Sequence, residues 1–351
     1  MRVGIVGLLR GLYMAEWAQR IGFEVVAICD RDAERLAQAR ATFSGARACA
    51  DWAELLDAGL DGVILANDLD AHAELATAFL GRGVHVLSET AACASEQEGR
   101  ELIAAAERSA ATYSFAENYV FHPHTRLVRE SVESGELGAV VAVEADYLHS
   151  LSPQDTAGLI GDPAHWRGRI APTAYCTHTV SPVLSLTGAW PVQVSAFPVG
   201  AGDARPAAVV LVIRLSDGTL AIARHGFLAG EPDSHWSWIS VRGVHGLTES
   251  LRASGESAWS VRVRTEGWAR TDGRAHEEIR RPRPHLVNDE PVDRMAEGTV
   301  VVLEGFRATI EHGAAPLIPV RAAVAASLVG VAGAQSLAEN GRPVPVPDVS
   351  A

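Results

Sequence analysis

Over its first 120 residues the chain alternates short apolar runs with Ala- and Leu-rich amphipathic stretches. This alternation limits the fold more than any other feature. Arg2–Leu8, Glu24–Asp30, Asp61–Asn67, His85–Glu89 and Thr112–Asn118 read as strands. Leu12–Ile21, Arg31–Phe43, Ala71–Leu80 and Glu96–Arg108 read as helices between them. Strands this rich in Val and Ile are apolar on both faces, so they need cover on both sides. Strands separated by helices meet that need as a doubly wound parallel sheet, which holds its ligand at the carboxyl ends of the strands.

The pattern changes after about Tyr119. One helix is predicted at Thr125–Ser134, and strand signals then dominate: Val140–Tyr147, Ala207–Leu215, Thr219–Arg224, His235–Arg242 and Ala258–Thr265. These runs alternate apolar and polar residues, as antiparallel strands with one wet face do. Ser216-Asp217-Gly218 is a hairpin turn signal. Thr271–Pro291 reads as a charged loop, Arg321–Glu339 as a C-terminal helix and Pro343–Pro347 as an exposed tail. The expected architecture is α/β. A Rossmann domain over residues 1–119 precedes an α+β domain over residues 120–351 with an open, mostly antiparallel sheet.

Composition narrows the function. The 351 residues carry a formal net charge of −13, which repels a phosphate backbone, so no nucleic-acid partner is expected. The four cysteines form no CxxC pair, and no HxxxH or HExxH spacing occurs, so no metal is expected. Nothing requires disulfides, and the reading is a reduced cytoplasm. The apolar start, Val3–Leu9, is too short for a signal-peptide core. No stretch reads as the ~18–20 apolar residues of a membrane span, so no membrane partner is expected.

The sharpest chemical signal is the first strand–helix turn, Val6-Gly7-Leu8-Leu9-Arg10-Gly11. A glycine here lets the backbone approach a pyrophosphate, and the helix start offers free N–H groups with a positive dipole end. The motif is degenerate. The GxGxxG pattern counted from Gly7 calls for glycine where Leu9 and Leu12 stand, and Gly11 falls one residue early. Asp30 ends the second strand, 23 positions after Gly7. That is close to the ~20-residue spacing at which a carboxylate binds the adenosine ribose hydroxyls. An acid there favours NAD over NADP, whereas Arg31 would suit a 2′-phosphate. Asp30 also fits a plain helix cap.

With these segments in view the chain resembles the Gfo/Idh/MocA family of sugar and cyclitol oxidoreductases. The resemblance rests on Val25–Asp32, Ala66-Asn67 followed by His72, His85–Glu89, Glu117–Pro123, Ser134–Tyr147 and Gly341–Asp348. It implies a cleft between two domains that holds the nicotinamide, with Asn67, His72, Glu89 and Asn118 on the cofactor. It also implies a homodimer or homotetramer formed through the C-terminal sheet. Two residues depart from the family pattern. Its usual Glu-Lys-Pro is Glu89-Thr90-Ala91 here, and its Asp-x-x-x-His keeps His178 but has Ala174 at the acid. The Ser-Glu-x-x-Ala and Tyr-x-x-His combination is similar to a variant within the family.

Oxidising an alcohol by hydride transfer also requires a group that takes the hydroxyl proton. With the lysine replaced, the candidates are His178, Tyr175 and His149. Tyr175 and His178 are three apart and share a face on a helical turn. Trp166, Arg167 and Thr90 are candidate substrate contacts; Arg167 suits a carboxylate or a hydroxyl pair, and Trp166 a sugar face. His122 and His124 read as helix-start residues. Three functions follow. One is NAD-dependent oxidation of a sugar, glycoside or cyclitol. A second is transient oxidation by tightly bound NAD, leading to epimerisation, elimination or glycoside cleavage. The third is a non-catalytic NAD-binding sensor.

Overall fold

A computed structural model describes residues 1–200, 205–231 and 236–351. The chain forms two compact units: unit 1 is Met1–Glu117, Val287–Glu290 and Thr299–Val324, and unit 2 is Asn118–Leu286, Pro291–Gly298 and Ala325–Ala351. The sequence reading gives all of 120–351 to one domain. Thr299–Val324 instead belong to unit 1.

Unit 1 runs β1 (Arg2–Val6), α1 (Gly11–Arg20), β2 (Glu24–Cys29), α2 (Ala33–Thr42), β3 (Arg47–Cys49), β4 (Gly62–Leu65), α3 (His72–Gly81), β5 (His85–Ser88), α4 (Glu96–Arg108) and β6 (Tyr113–Phe115). The strands pair in parallel in the order β3-β2-β1-β4-β5-β6, the doubly wound sheet expected. Val3, Ile5, Val63, Ile64 and Leu65 are completely buried, which is why these strands read as continuous apolar runs. Asp32 caps α2 by accepting from the Glu34 and Arg35 N–H groups, and Ser95 caps α4 by accepting from Glu98 N–H. The three residues of β3 are too few to show a period, and the sequence gives no sign of this edge strand.

Unit 2 begins with α5 (Pro123–Glu133) and β7 (Val140–His149), followed by α6 (Pro153–Gly161), α7 (Trp166–Arg169) and α8 (Thr177–Thr187). Then come β8 (Pro191–Val199), β9 (Ala208–Leu215), β10 (Leu220–Phe227), β11 (Ser237–Gly243), β12 (Gly246–Ser250), β13 (Val261–Thr265) and β14 (His276–Arg280). The chain continues with a short hairpin of β15 (Leu286–Val287) and β16 (Glu290–Pro291), α9 (Arg294–His312), which belongs to unit 1 from Thr299, α10 (Val320–Ala338), which belongs to unit 2 from Ala325, and β17 (Val344–Pro345). The large sheet has the order β14-β13-β12-β11-β7-β10-β9-β8-β17. All its neighbours are antiparallel except β7 and β10. The mostly antiparallel second sheet is therefore as expected. The Ser216-Asp217-Gly218 hairpin is also present, with Gly218 at φ +92° and Asp217 accepting from Thr219 N–H. His235, where one predicted strand starts, lies outside the described residues.

Several segments differ from the sequence reading, which has no counterpart for β8 or β12. The loop predicted at Thr271–Pro291 contains β14, which pairs with β13 through charged side chains on an edge strand. The tail predicted at Pro343–Pro347 is not free: β17 pairs with β8, and Val344 and Val346 are only 5% and 6% exposed. Helix α9 has no counterpart in the reading. Its β-branched run Thr299-Val300-Val301-Val302 resembles a strand, but Val300, Leu303 and Phe306 are at most 1% exposed, and burial overrides propensity. Helix α10 is also long and apolar enough to match a membrane span, with a mean hydropathy of 1.4 over its best window. In the fold 61% of that window is buried, as suits a core helix.

Phe306 stacks on Phe23 at a centroid distance of 6.0 Å, and its ring takes the space that a side chain on Gly62 would need. Replacing Phe306 with Ala leaves a cavity that the parallel sheet cannot close. We expect a loss of about 3–5 kcal/mol, read as a lower urea midpoint for the unfolding of unit 1.

Candidate functional site

Gly7 ends β1 at φ +84°, a conformation that favours glycine. A Cβ there would lie 2.4 Å from the Asn67 nitrogen, so the turn runs directly against the end of β4. Gly11 has the second glycine role. Its missing Cβ would lie 2.9 Å from Ile5 Cγ2 and 3.3 Å from Ala66 Cβ, so α1 can settle closely on β1 and β4. Asp30 braces this turn. Leu8 N–H donates to its Oδ2 at 2.7 Å, and Asp32 N–H donates to its Oδ1 at 2.8 Å. Asp30 is thus a structural hub as well as the expected acid, with acceptor capacity left over on each oxygen.

These residues fit a dinucleotide. No side chain caps the start of α1 and its first turn holds no acid, so its positive end is left for an anion. Asn67 Oδ1, beside Gly7, is buried without a hydrogen-bond partner, although Asn67 Nδ2 donates to the Asp68 carbonyl. Such an acceptor is normally satisfied by protein, water or ligand. Leu9 stands 69% exposed on the turn. Arg31, 83% exposed, pairs with Asp68 at 3.1 Å.

His72 is placed differently from the cofactor contact expected. It is 1% exposed, with Nδ1 3.1 Å from the Ala91 carbonyl and Nε2 3.1 Å from the Asn67 carbonyl. Burial outweighs the two carbonyls and pushes its pKa below the usual histidine value. His72 is a brace between the Asn67 turn and the segment after β5. In that segment Glu89 accepts from Arg10 Nε at 2.9 Å, and Arg10 Nη2 also donates to Thr299 Oγ1 at 2.9 Å. A guanidinium therefore sits on the residue preceding Thr90, where the resemblance leads one to expect a lysine. Thr90 is 5% exposed, and its N–H donates to Glu89 Oε2 at 3.3 Å. The Thr90-Ala91 peptide is cis.

Unit 2 gathers a cluster of aromatic and imidazole rings. Tyr175 stands in the turn before α8 and His178 in its first turn; their rings meet edge-on at 4.8 Å. Tyr147 lies 4.5 Å from His178 and 4.6 Å from His149. Tyr119 lies 4.4 Å from His178 and stacks on His122, while Asn118 Nδ2 reaches His122 Nε2 at 3.3 Å. Trp166 rests on Tyr175 at 5.6 Å. His122 stands at the N-cap position of α5 without a side-chain capping bond, and His124, in its first turn, meets Ser237 Oγ at 3.1 Å.

A cleft opens beside this cluster, with Tyr147, Arg167, Tyr175, Arg205, His225 and Phe227 on its wall. The Arg167 guanidinium lies 4.4 Å from the Trp166 ring, 4.3 Å from Tyr175 and 5.6 Å from Phe227. Arg205 holds α7 from below, donating to the carbonyls of Arg167, Gly168 and Ile170. The sequence reading finds Tyr175, His178, His149, Trp166 and Arg167, which the fold does bring together. It misses Tyr147, Arg205, His225 and Phe227. One signal was available: Tyr147-x-His149 and His225-x-Phe227 are period-2 pairs at strand ends. Parallel pairing sets Tyr147 opposite His225 and His149 opposite Phe227.

The six-stranded parallel sheet and its glycine turn are those of a dinucleotide-binding Rossmann fold, followed in the chain by a large, mostly antiparallel sheet. Residues 1–117 match the family model described as an oxidoreductase family with an NAD-binding Rossmann fold, and residues 125–249 match the GFO/IDH/MocA C-terminal domain. The chain belongs to the Gfo/Idh/MocA family. It is 28% identical over 165 residues to a glycosyl hydrolase family 109 protein of Stenotrophomonas maltophilia, covering 43% of this chain and 36% of that one. It is 29% identical over 127 residues to D-apiose dehydrogenase of Paraburkholderia graminis, covering 36% of this chain and 34% of that one. The match thus spans about a third of the length of each of these relatives. A levoglucosan dehydrogenase solved with NADH and levoglucosan shares the fold, with a TM-score of 0.82 and 18% identity over 99% of this chain and 100% of that one.

Burial pushes the pKa of His225 down to about 4, and burial together with Arg167 does the same for His149. Unfolded histidine titrates near ~6.5, so on acidification the unfolded chain takes up these protons first. Stability is therefore complete above that value and falls as the pH drops toward 4. For the fully buried His225 the loss is about 3 kcal/mol. Urea midpoints measured across this range should fall less steeply in His225→Leu than in the native protein.

Proposed function

We propose that the protein is an NAD-dependent oxidoreductase acting on a hydroxyl of a sugar, glycoside or cyclitol. The observation that carries this reading is the Tyr175–His178 ring pair beside a cleft walled by Tyr147, Arg167 and Phe227. Aromatic walls suit the apolar faces of a sugar ring, and the polar groups fix its orientation. Unit 1 serves as the NAD domain through Gly7, Arg10, Gly11, Asp30, Asn67 and Glu89. Asp30 at the end of β2 and the engagement of Arg31 by Asp68 favour NAD over NADP. When bound, NAD supplies the acceptor for the hydride leaving the substrate carbon. His178 takes the hydroxyl proton as the carbonyl forms, and Tyr175 orients that hydroxyl or relays the proton. Four buried cysteines without a disulfide support a reducing, cytoplasmic setting.

A second reading keeps NAD bound throughout, so that oxidation is transient and the product arises by epimerisation, elimination or glycoside cleavage. Thr90 in place of the usual lysine favours it, as does the similarity to proteins named as glycosyl hydrolases. A panel of polyols and glycosides separates the two. Released NADH marks net oxidation, whereas product formed without added NAD and without NADH marks the second reading. His178→Ala should lower kcat by about 10²–10⁴-fold under either one. Unchanged turnover would remove His178 from the chemistry.

We also propose a homodimer or homotetramer formed through the large sheet. The face carrying Glu144 and Asp146 also presents half-buried Val210, Val212 and Ile222, with Phe197 and Leu220 43% and 42% exposed. Ile222→Glu should shift the sedimentation mass toward the monomer.

A further inference from the structure

The cleft in unit 2 is unusual for so acidic a chain. Against a net charge of −13, its lining among the described residues includes two arginines and a histidine, and neither Asp nor Glu. Arg205 is committed to backbone carbonyls. Arg167 is not. Its guanidinium makes only the three ring contacts described above, with no hydrogen bond or ion pair to an acceptor among the described residues. The rings fix the plane of the fork and leave its N–H groups available. A planar guanidinium held in this way matches a carboxylate with two parallel hydrogen bonds.

A second, independent group faces the same cleft. His225 is 2% exposed, and its Nε2 lies 3.1 Å from the Pro172 carbonyl. That contact places the ring proton on Nε2, because a carbonyl only accepts. Nδ1 is then an acceptor, buried and without a partner among the described residues. Tyr175, with its ring against His178, and Tyr147 share the wall with both groups.

We infer that this cleft selects a hydroxy acid of the sugar class, a uronate or aldonate, whose carboxylate binds Arg167 and one of whose hydroxyls donates to His225 Nδ1. This rests on the proposed reading of the protein as a carbohydrate oxidoreductase and narrows its substrate. Electrostatics act in the same direction. The acidic surface disfavours anions in general, so the local donors decide which anion enters.

The test pairs calorimetric binding with NADH formation for matched ligands: hexuronates and aldonates, their neutral parent sugars, and the hexose 6-phosphates. Native protein, Arg167→Gln, Arg167→Lys and His225→Leu are compared. Native protein should bind at least one acid about 30-fold or more tightly than its neutral parent, and Arg167→Gln should abolish that preference. Arg167→Lys should recover part of it, since charge remains while the fork is lost. His225→Leu should weaken the acid and leave its advantage over the neutral sugar in place. Preference for the neutral sugar, affinity unchanged in Arg167→Gln, or no binding of any acid would overturn the inference. So would binding of the 6-phosphate in preference to the carboxylate. Acid binding that depends on Arg167, with no oxidation and no other conversion, would sustain the cleft assignment and overturn the enzymatic reading instead.

Discussion

The single parallel pairing in the large sheet, β7 beside β10, organises unit 2. Every other neighbour in that sheet is antiparallel, so strand ends elsewhere point to opposite edges. Here two carboxyl ends coincide. Tyr147 and His149 come to lie beside His225 and Phe227, and α8 brings Tyr175 and His178 onto the same edge. A parallel pair needs a crossover connection, and the chain between β7 and β10 supplies α6, α7 and α8 within it. The elements that make the pairing possible thus also carry Trp166, Arg167, Tyr175 and His178.

In unit 1 the corresponding constraint is the close approach of the Gly7 turn to the end of β4. It leaves no room for a side chain, and it is held from the other side by Asp30. The same carboxylate therefore shapes the turn and, under the proposed reading, marks the ribose position. His72 supports this arrangement from behind, its enclosed imidazole lying 3.1 Å from two backbone carbonyls and, when neutral, donating to one of them. The first glycine and the acid of the expected motif are in place, and Gly11 does the work of the last glycine one residue early.

The two departures from the family pattern look different once the surroundings are known. Thr90 is enclosed, and the nearby positive charge comes from Arg10 through its ion pair with Glu89. At position 174 the chain carries Ala, and the rings of Tyr119, Tyr147 and Tyr175 pack around His178 at 4.4, 4.5 and 4.8 Å. Under the proposed reading this ring cluster holds the histidine that takes the substrate's proton.

The sequence by itself determined the doubly wound sheet, because apolar strands separated by amphipathic helices have few other ways to bury both faces. It also determined the glycine turn, Asp30 and the pair Tyr175 and His178, since each depends on local spacing or on a segment that resembles the family. Contacts between distant residues left no such trace. Edge strands β3, β14 and β17 are too short or too charged to show a period, and the β-branched run of α9 left that helix unread. Only the tertiary structure decided that His72 is a brace, that Arg10 reaches Glu89, and that His225 and Phe227 share a wall with Arg167. The physical reason is common to all three. A side chain's role follows from its burial and its partners, and strand pairing sets those across dozens of residues of chain.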